Sequence, residues 1–396
     1  MKPEGVKLNK RVMAGVLAGG MLLLAGCADM GGNHAAVPAQ ETRAALPSRA
    51  EALAVIDKVN GYWQRKTPAT EWAFWNVAAY HTGNMAAYEV THNEAYRQYS
   101  ERWADYNGWK GAKSDDKKDW KLTYGETDDH VLFGDWQVCF QTYLDLYRLG
   151  PQDPRRVARA REVMGYEIGT DRNDYWWWAD GLYMVMPVMT KMYKLTGDRR
   201  YLDKMVAYFE YANGLMYDAD THLYYRDARY VYPQHKSVNG KKDFWARGDG
   251  WVFAALAKVL TDLPRTDPYR PMFEERFRAM AQTLATIQSP DGYWTRSLID
   301  PAHAPGPETS GTAFFTYGML WGLNNGLLDR TTYLPVAVRG WHYLTHTAIQ
   351  PDGKVGYVQP IGDRAIPGQV VDRDSTAHFG VGAVLLAASE MAKLAH

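Results

Sequence analysis

Met192-Tyr193-Lys194-Leu195-Thr196-Gly197-Asp198, followed closely by Tyr201-Leu202, is the stretch on which the reading of the fold turns. It has the form of a helix end, a tight turn and a second helix start. Apolar residues at helical spacing run from Val188 to Tyr211, and Gly197 stands where a left-handed C-terminal cap is needed. Similar wording occurs earlier, where Ala87-Tyr88-Glu89-Val90-Thr91-His92 precedes Tyr96. Helical periodicity returns over Met85 to Trp103, Trp251 to Leu263, Met272 to Gln288, Ala313 to Asn325 and Ala383 to Leu394. Between these lie turns or short ribbons such as Ser289-Pro290-Asp291-Gly292-Tyr293-Trp294. Runs of β-branched residues followed by crossover helices are missing, which argues against an α/β fold. The body, residues 49–396, divides into six helical hairpins of about 58 residues, room for two helices of about 12–15 residues each plus loops. An all-α (α/α)6 barrel is therefore predicted as a single domain, with an open helical solenoid or two helical domains as alternatives. Its inner helices must be apolar or aromatic nearly all round, which would absorb much of the 15 Trp and 27 Tyr.

The 396-residue chain carries 45 basic and 45 acidic side chains, a balance that argues against nucleic-acid binding. With 46% hydrophobic residues it can bury a large core. The neutral total hides an asymmetry at the N-terminus. Lys2, Lys7, Lys10 and Arg11 precede an apolar run from Val12 to Leu24, and Leu24-Ala25-Gly26-Cys27 ends it. Residues 1–26 read as an export signal too short to be a comfortable membrane span, and its end resembles the lipobox of bacterial lipoproteins. Cys27 is then the expected lipidation site and residues 27–48 a flexible tether, the membrane being reached through that lipid only. The expected location is an outer membrane facing the periplasm, or the cell surface. Without the signal the chain is mildly acidic. Cys139 is the only other cysteine, so no disulfide forms within the folded body and no multi-thiolate metal site can be built. It sits in Val138-Cys139-Phe140 and reads as a buried thiol.

Three segments carry candidate chemistry. In Tyr175-Trp176-Trp177-Trp178-Ala179-Asp180-Gly181-Leu182-Tyr183-Met184, an acid close behind three indoles should be poorly solvated, which raises its pKa and keeps a proton on it near neutrality. Asp180 is a candidate general acid on that ground; the plainer role is a helix cap. In Phe244-Trp245-Ala246-Arg247-Gly248-Asp249-Gly250-Trp251, Arg247 and Trp251 stand four apart, a fork for a carboxylate beside a stacking face for a sugar ring. An Arg packed along a core Trp is the alternative. In Asp128-Asp129-His130-Val131-Leu132-Phe133-Gly134-Asp135-Trp136, Asp135 lies between two aromatics and is the better candidate for a second carboxylate.

Together these segments resemble the unsaturated glucuronyl and rhamnogalacturonyl hydrolases, glycoside hydrolase families 88 and 105, with 105 looking closer. The sharpest marks are Trp178-Ala179-Asp180, Trp245-Ala246-Arg247-Gly248-Asp249-Gly250-Trp251 and Glu308-Thr309-Ser310-Gly311-Thr312-Ala313. The resemblance implies an (α/α)6 barrel that hydrates a 4,5-unsaturated uronic acid at the non-reducing end of lyase-generated oligosaccharides. It implies that Asp180 is the acid and base, with Asp135, or Asp129 as its rival, the second Asp. It also implies that Trp178, Met184, Arg247 and Trp251 surround the substrate, with Trp136 placed beside them. One departure stands out: many members have His where this chain has Arg226. From Arg226 to Arg247 there are six basic residues and two acidic ones, an expected electropositive patch suited to carboxylate or sulfate. No cofactor and no metal is expected. His342 and His346 have the spacing of a zinc pair but lack an accompanying Glu and a third ligand. The rival classes are another (α/α)6 carbohydrate enzyme, acting on a saturated substrate or as an epimerase, and a non-catalytic glycan-binding lipoprotein.

Overall fold

A computed structural model describes residues 46–120 and 131–395. Among them are thirteen α-helices: α1 (Arg49–Lys66), α2 (Trp75–Thr91), α3 (Glu94–Tyr106), α4 (Gly134–Gln137), α5 (Cys139–Leu149), α6 (Ala158–Glu167), α7 (Ala179–Thr196), α8 (Arg200–Met216), α9 (Ala246–Asp262), α10 (Arg270–Thr286), α11 (Thr309–Asn324), α12 (Arg330–Tyr343) and α13 (His378–Leu394). The predicted turn is present: Gly197 has φ of 72° and its N–H donates to the Tyr193 carbonyl, ending α7 and freeing the chain to start α8. The matching turn between α2 and α3 is made by His92 in the left-handed region.

Burial separates two kinds of helix. In α11 every residue from Thr309 to Leu323 is buried, and α7, α9 and α13 are nearly as enclosed. In α10 only a stripe is buried, Phe273, Phe277, Met280, Ala281 and Leu284, as a helix with one face to solvent requires. The enclosed helices close a ring, with α2 packed on α13, α13 on α11, α11 on α9, α9 on α7, α7 on α4 and α5, and α5 on α2. Outside it, α3 lies on α2, α8 on α7, α10 on α9, α12 on α11 and α1 on α13, while α6 leans on α7. This is the (α/α)6 barrel. The seam between α2 and α13 depends on Gly83 facing Gly382, since a Cβ on either would strike backbone of the opposite helix. Isolated bridges such as Tyr217 with Tyr224 and Trp178 with Asp227 form the ribbons between hairpins.

One device repeats around the ring. The first N–H of α7, at Ala179, donates to the Arg226 carbonyl; that of α9, at Ala246, to Arg296; that of α11, at Thr309, to Tyr357. Each acceptor belongs to the loop that follows the next outer helix, so those loops gather over the N-termini of the inner helices. No helix among the described residues is long and apolar enough to cross a membrane. Cys139 is buried, and burial pushes its thiol well above the ordinary range. Cys27, residues 1–45 and Asp129 lie outside the described residues.

Candidate active site

The gathered loops enclose a cavity of about 740 Å³ at the N-terminal end of the inner helices. That end carries the positive pole of each helix, a field that suits an anionic ligand. Trp75 begins α2, Asp135 lies in the first turn of α4, and Asp180 in the first turn of α7; all three line the cavity. Trp177, Trp178, Met184 and Arg226 line it too, so five of the residues singled out in the sequence (Asp135, Trp178, Asp180, Met184 and Arg226) come together here.

Asp180 does not cap its helix; Trp178 holds the N-cap position and makes no side-chain bond there. The Asp180 carboxylate is buried and accepts from Arg226 Nε at 3.2 Å. Burial pushes its carboxyl above the ordinary range, while the positive charges of Arg226 and Arg247 act against that shift. The indoles divide the work. Trp178 stacks on Phe133, ring centroids 4.7 Å apart and planes 7° from parallel, with the backbone at Gly134 and Gly181 pressed to its ring. Trp177 stays half-buried in the cavity wall, whereas Trp176 turns away onto Tyr208.

Arg247 and Trp251 are placed differently from what the resemblance implied. Arg247 is wholly buried, its guanidinium between the rings of Trp245 and Phe379 at 4.4 and 4.7 Å. Its Nη1 and Nη2 donate to the carbonyls of Gln359 and Pro360 at 2.8 and 2.9 Å, so the fork expected for a substrate carboxylate is already engaged. Burial pulls its pKa down to about 10. Arg247 thus braces the loop whose next residues, Ile361, Gly362 and Asp363, form a wall of the cavity. Glu308 braces the same loop: it caps α11 through the N–H groups of Ser310 and Gly311 and accepts from Gln359 N. Trp251 is buried behind the wall among Tyr183 and Phe314, edge-on to Trp75 at 6.2 Å. Gly250 serves the packing of α9 on α11, since a Cβ there would press on Phe314. Trp136 packs on Phe74 and Trp72, outside the cavity lining.

The expected electropositive patch is divided between its own Asp227 and acids brought in from elsewhere. Arg226 bonds Asp180 and Asp227, Arg229 bonds Asp227, Lys242 bonds Asp218 and Asp220, and Lys241 lies 3.6 Å from Asp300. Linear charge counting misses this because Asp180, Asp218, Asp220 and Asp300 lie outside the segment. Sequence reading held Asp227 and Arg229 only as members of that patch, and it missed Trp75 and Asp363. Trp75 had a signal, the aromatic run Trp72-Ala73-Phe74-Trp75 before a helix; Asp363 had none, because it arrives on a returning loop.

The chain belongs to Glycosyl Hydrolase Family 88, whose sequence model matches residues 49–395. It is a glycoside hydrolase. It is 33% identical over 344 residues to the Unsaturated 3S-rhamnoglycuronyl hydrolase of Formosa agariphila, covering 84% of this chain and 88% of that one. Among solved structures it is similar to a Glycosyl hydrolase family 88 protein from Bacteroides vulgatus, with 57% identity, a TM-score of 0.84 and coverage of 87% and 99% of the two chains. It is also similar to the solved structure of a protein named Polysaccharide Lyase, with 62% identity, a TM-score of 0.83 and coverage of 87% and 98%.

Proposed function

We propose that this chain removes a 4,5-unsaturated uronic acid from the non-reducing end of lyase-generated oligosaccharides, the 3S-rhamnoglycuronyl unit in the relative's name being the first to test. The observation that carries this is Asp180: a buried carboxyl at the positive end of α7, facing the cavity, with its proton affinity raised by burial. Protonated Asp180 delivers its proton to C4 of the enol ether, and the oxocarbenium character left at C5 is met by water. Asp180, now ionised, takes the proton of that water. The resulting hemiketal collapses, opening the ring and releasing the sugar. One group acts as acid and then as base, which requires a pKa near working pH. Trp177 and Trp178 exclude water from Asp180 and give a face to the ring, while Asp135 supplies a second acceptor for hydroxyls.

The conjugated double bond absorbs in the ultraviolet, so the proposed reaction is followed as loss of absorbance on lyase digests. A lyase, the activity named for one similar structure, would create that double bond and raise the absorbance. A gain on intact polysaccharide, without loss on digests, would replace this reading by that one.

We further infer export and lipidation at Cys27, supported by the basic N-terminus, the apolar run and Leu24-Ala25-Gly26-Cys27. Residues 27–48 then serve as the tether. Fatty-acid labelling of the expressed protein that persists in Cys27→Ala would refute it.

A further inference from the structure

Inside the cavity Arg226 stands against the carboxyl that the first step needs protonated, and its charge opposes the rise that burial gives. Arg226 donates Nε to Asp180 at 3.2 Å and Nη1 to Asp227 at 2.7 Å, and its Nη2 makes no hydrogen bond to any described residue. Asp227 does not depend on Arg226: it also accepts from Arg229 Nε, Arg229 Nη2 and the Arg229 backbone N–H at 2.8–2.9 Å. The Arg226 to Asp180 contact is the longest in this chain of charges and the one that a competing anion can take. A uronate must bring a carboxylate into the same space. The other cations near it are committed, Arg229 to Asp227 and Arg247 to the carbonyls of Gln359 and Pro360. Of these cations Arg226 is the one that both bonds Asp180 and has a terminal nitrogen to offer a carboxylate.

We propose that Arg226 is a substrate-operated proton switch: the substrate's carboxylate draws its guanidinium away from Asp180, and Asp180 then takes one proton from solvent and becomes the acid. No bond to carbon changes in this step. The substrate carboxylate stays ionised on Arg226, and one proton moves from bulk water to an Asp180 oxygen. The charged or titratable groups around Asp180 are Arg247 of α9, Asp135 of α4, Tyr211 of α8, Asp227 and Arg229 of the 226–229 ribbon, and Asp363 of the wall loop. None but Arg226 combines a bond to Asp180 with a donor left over for the substrate. The proposal rests on the hydrolase reading above and adds the order of events.

The alkaline limb of kcat/KM reports Asp180 in the free enzyme, and that of kcat reports it in the complex. A switch predicts that the kcat limb lies higher, by about one pH unit or more, the usual effect of a guanidinium on a neighbouring carboxyl. In Arg226→Gln the two limbs should coincide, with that of kcat/KM moved upward; Arg226→Lys should keep them apart. Calorimetric titration with a saturated uronyl oligosaccharide, in buffers of different ionisation heat, should show proton uptake by the wild type and none by Arg226→Gln. Coincident limbs in the wild type, or uptake that survives Arg226→Gln, would overturn the switch while leaving the hydrolase intact. Absence of turnover on every lyase digest would overturn both. If Arg226→Gln loses its helical circular dichroism, wild-type limb separation and proton uptake decide the question without it.

Discussion

Replacing Arg247 by Met tests whether this arginine braces the wall or binds substrate. The side chain is 0% exposed, and its two terminal nitrogens hold the carbonyls of Gln359 and Pro360. Hydrogen bonds from a charged donor contribute about 1.5–3 kcal/mol each, so losing both and stranding two carbonyls should cost about 3–6 kcal/mol. With an unfolding entropy of about 2 cal/mol/K per residue over about 350 residues, that corresponds to a fall in Tm of about 4–8 °C. The wall carrying Ile361, Gly362 and Asp363 loosens as well, so kcat and KM should both worsen. Thermal unfolding followed by circular dichroism, with steady-state kinetics on unsaturated oligosaccharides, measures both effects. An unchanged Tm with KM raised tenfold or more would refute the brace and return Arg247 to the substrate, as the sequence motif alone implied.

Asp249 is buried, accepts from the Tyr224 N–H at 2.8 Å, and has its pKa pushed well up by burial; a neutral isostere should replace it. Asp249→Asn should keep activity, whereas Asp249→Val should release the ribbon bearing Arg226 and lower kcat/KM by tenfold or more, read by the same absorbance assay. Lys258 on α9 has its pKa pulled down to about 8 by burial and by repulsion from Lys191, in spite of Asp145 and Asp262. Because the folded protein releases this proton before the unfolded chain does, the group's destabilising effect is fully present below pH 8 and fades as pH rises toward about 10.4. The stability of Lys258→Met relative to wild type, from urea unfolding, should therefore be greater at pH 7.5 than at pH 9.5. Gly382→Val should cost about 1–3 kcal/mol or more by forcing α13 off α2, visible as a lower urea midpoint.

Much of the barrel could be read from residue patterns. The cap at Gly197 fixed where α7 ends, and apolar-rich stretches such as Ala313 to Asn325 were legible as helices, the structure adding that no face of α11 meets water. Elements with weaker patterns escaped: α12 carries Pro335 and polar residues, and α1 has a buried stripe of only Ala52, Ile56, Val59, Asn60 and Trp63. At the site, Asp180, Trp178 and Met184 were legible because one helix start presents them together. Arg247 and Trp251 stood out in the sequence but their surroundings did not, since spacing along α9 shows that two side chains share a face and not what the face meets. Its partner is the Gln359–Pro360 backbone, more than a hundred residues away in sequence. The pairing of Arg226 with Asp180 has the same character. It depends on a ribbon crossing the start of α7, a tertiary contact without a local signature.

The central claim is that Asp180 moves the protons of an unsaturated-uronide hydration. The direct test is the absorbance of a lyase-generated, uronyl-terminated oligosaccharide on addition of wild-type protein and of Asp180→Asn, both confirmed folded. Wild type should abolish the absorbance, and Asp180→Asn should be slower by a factor of about 10²–10⁴, the usual contribution of a positioned acid–base group. Asp180→Asn turning over at the wild-type rate would contradict the account.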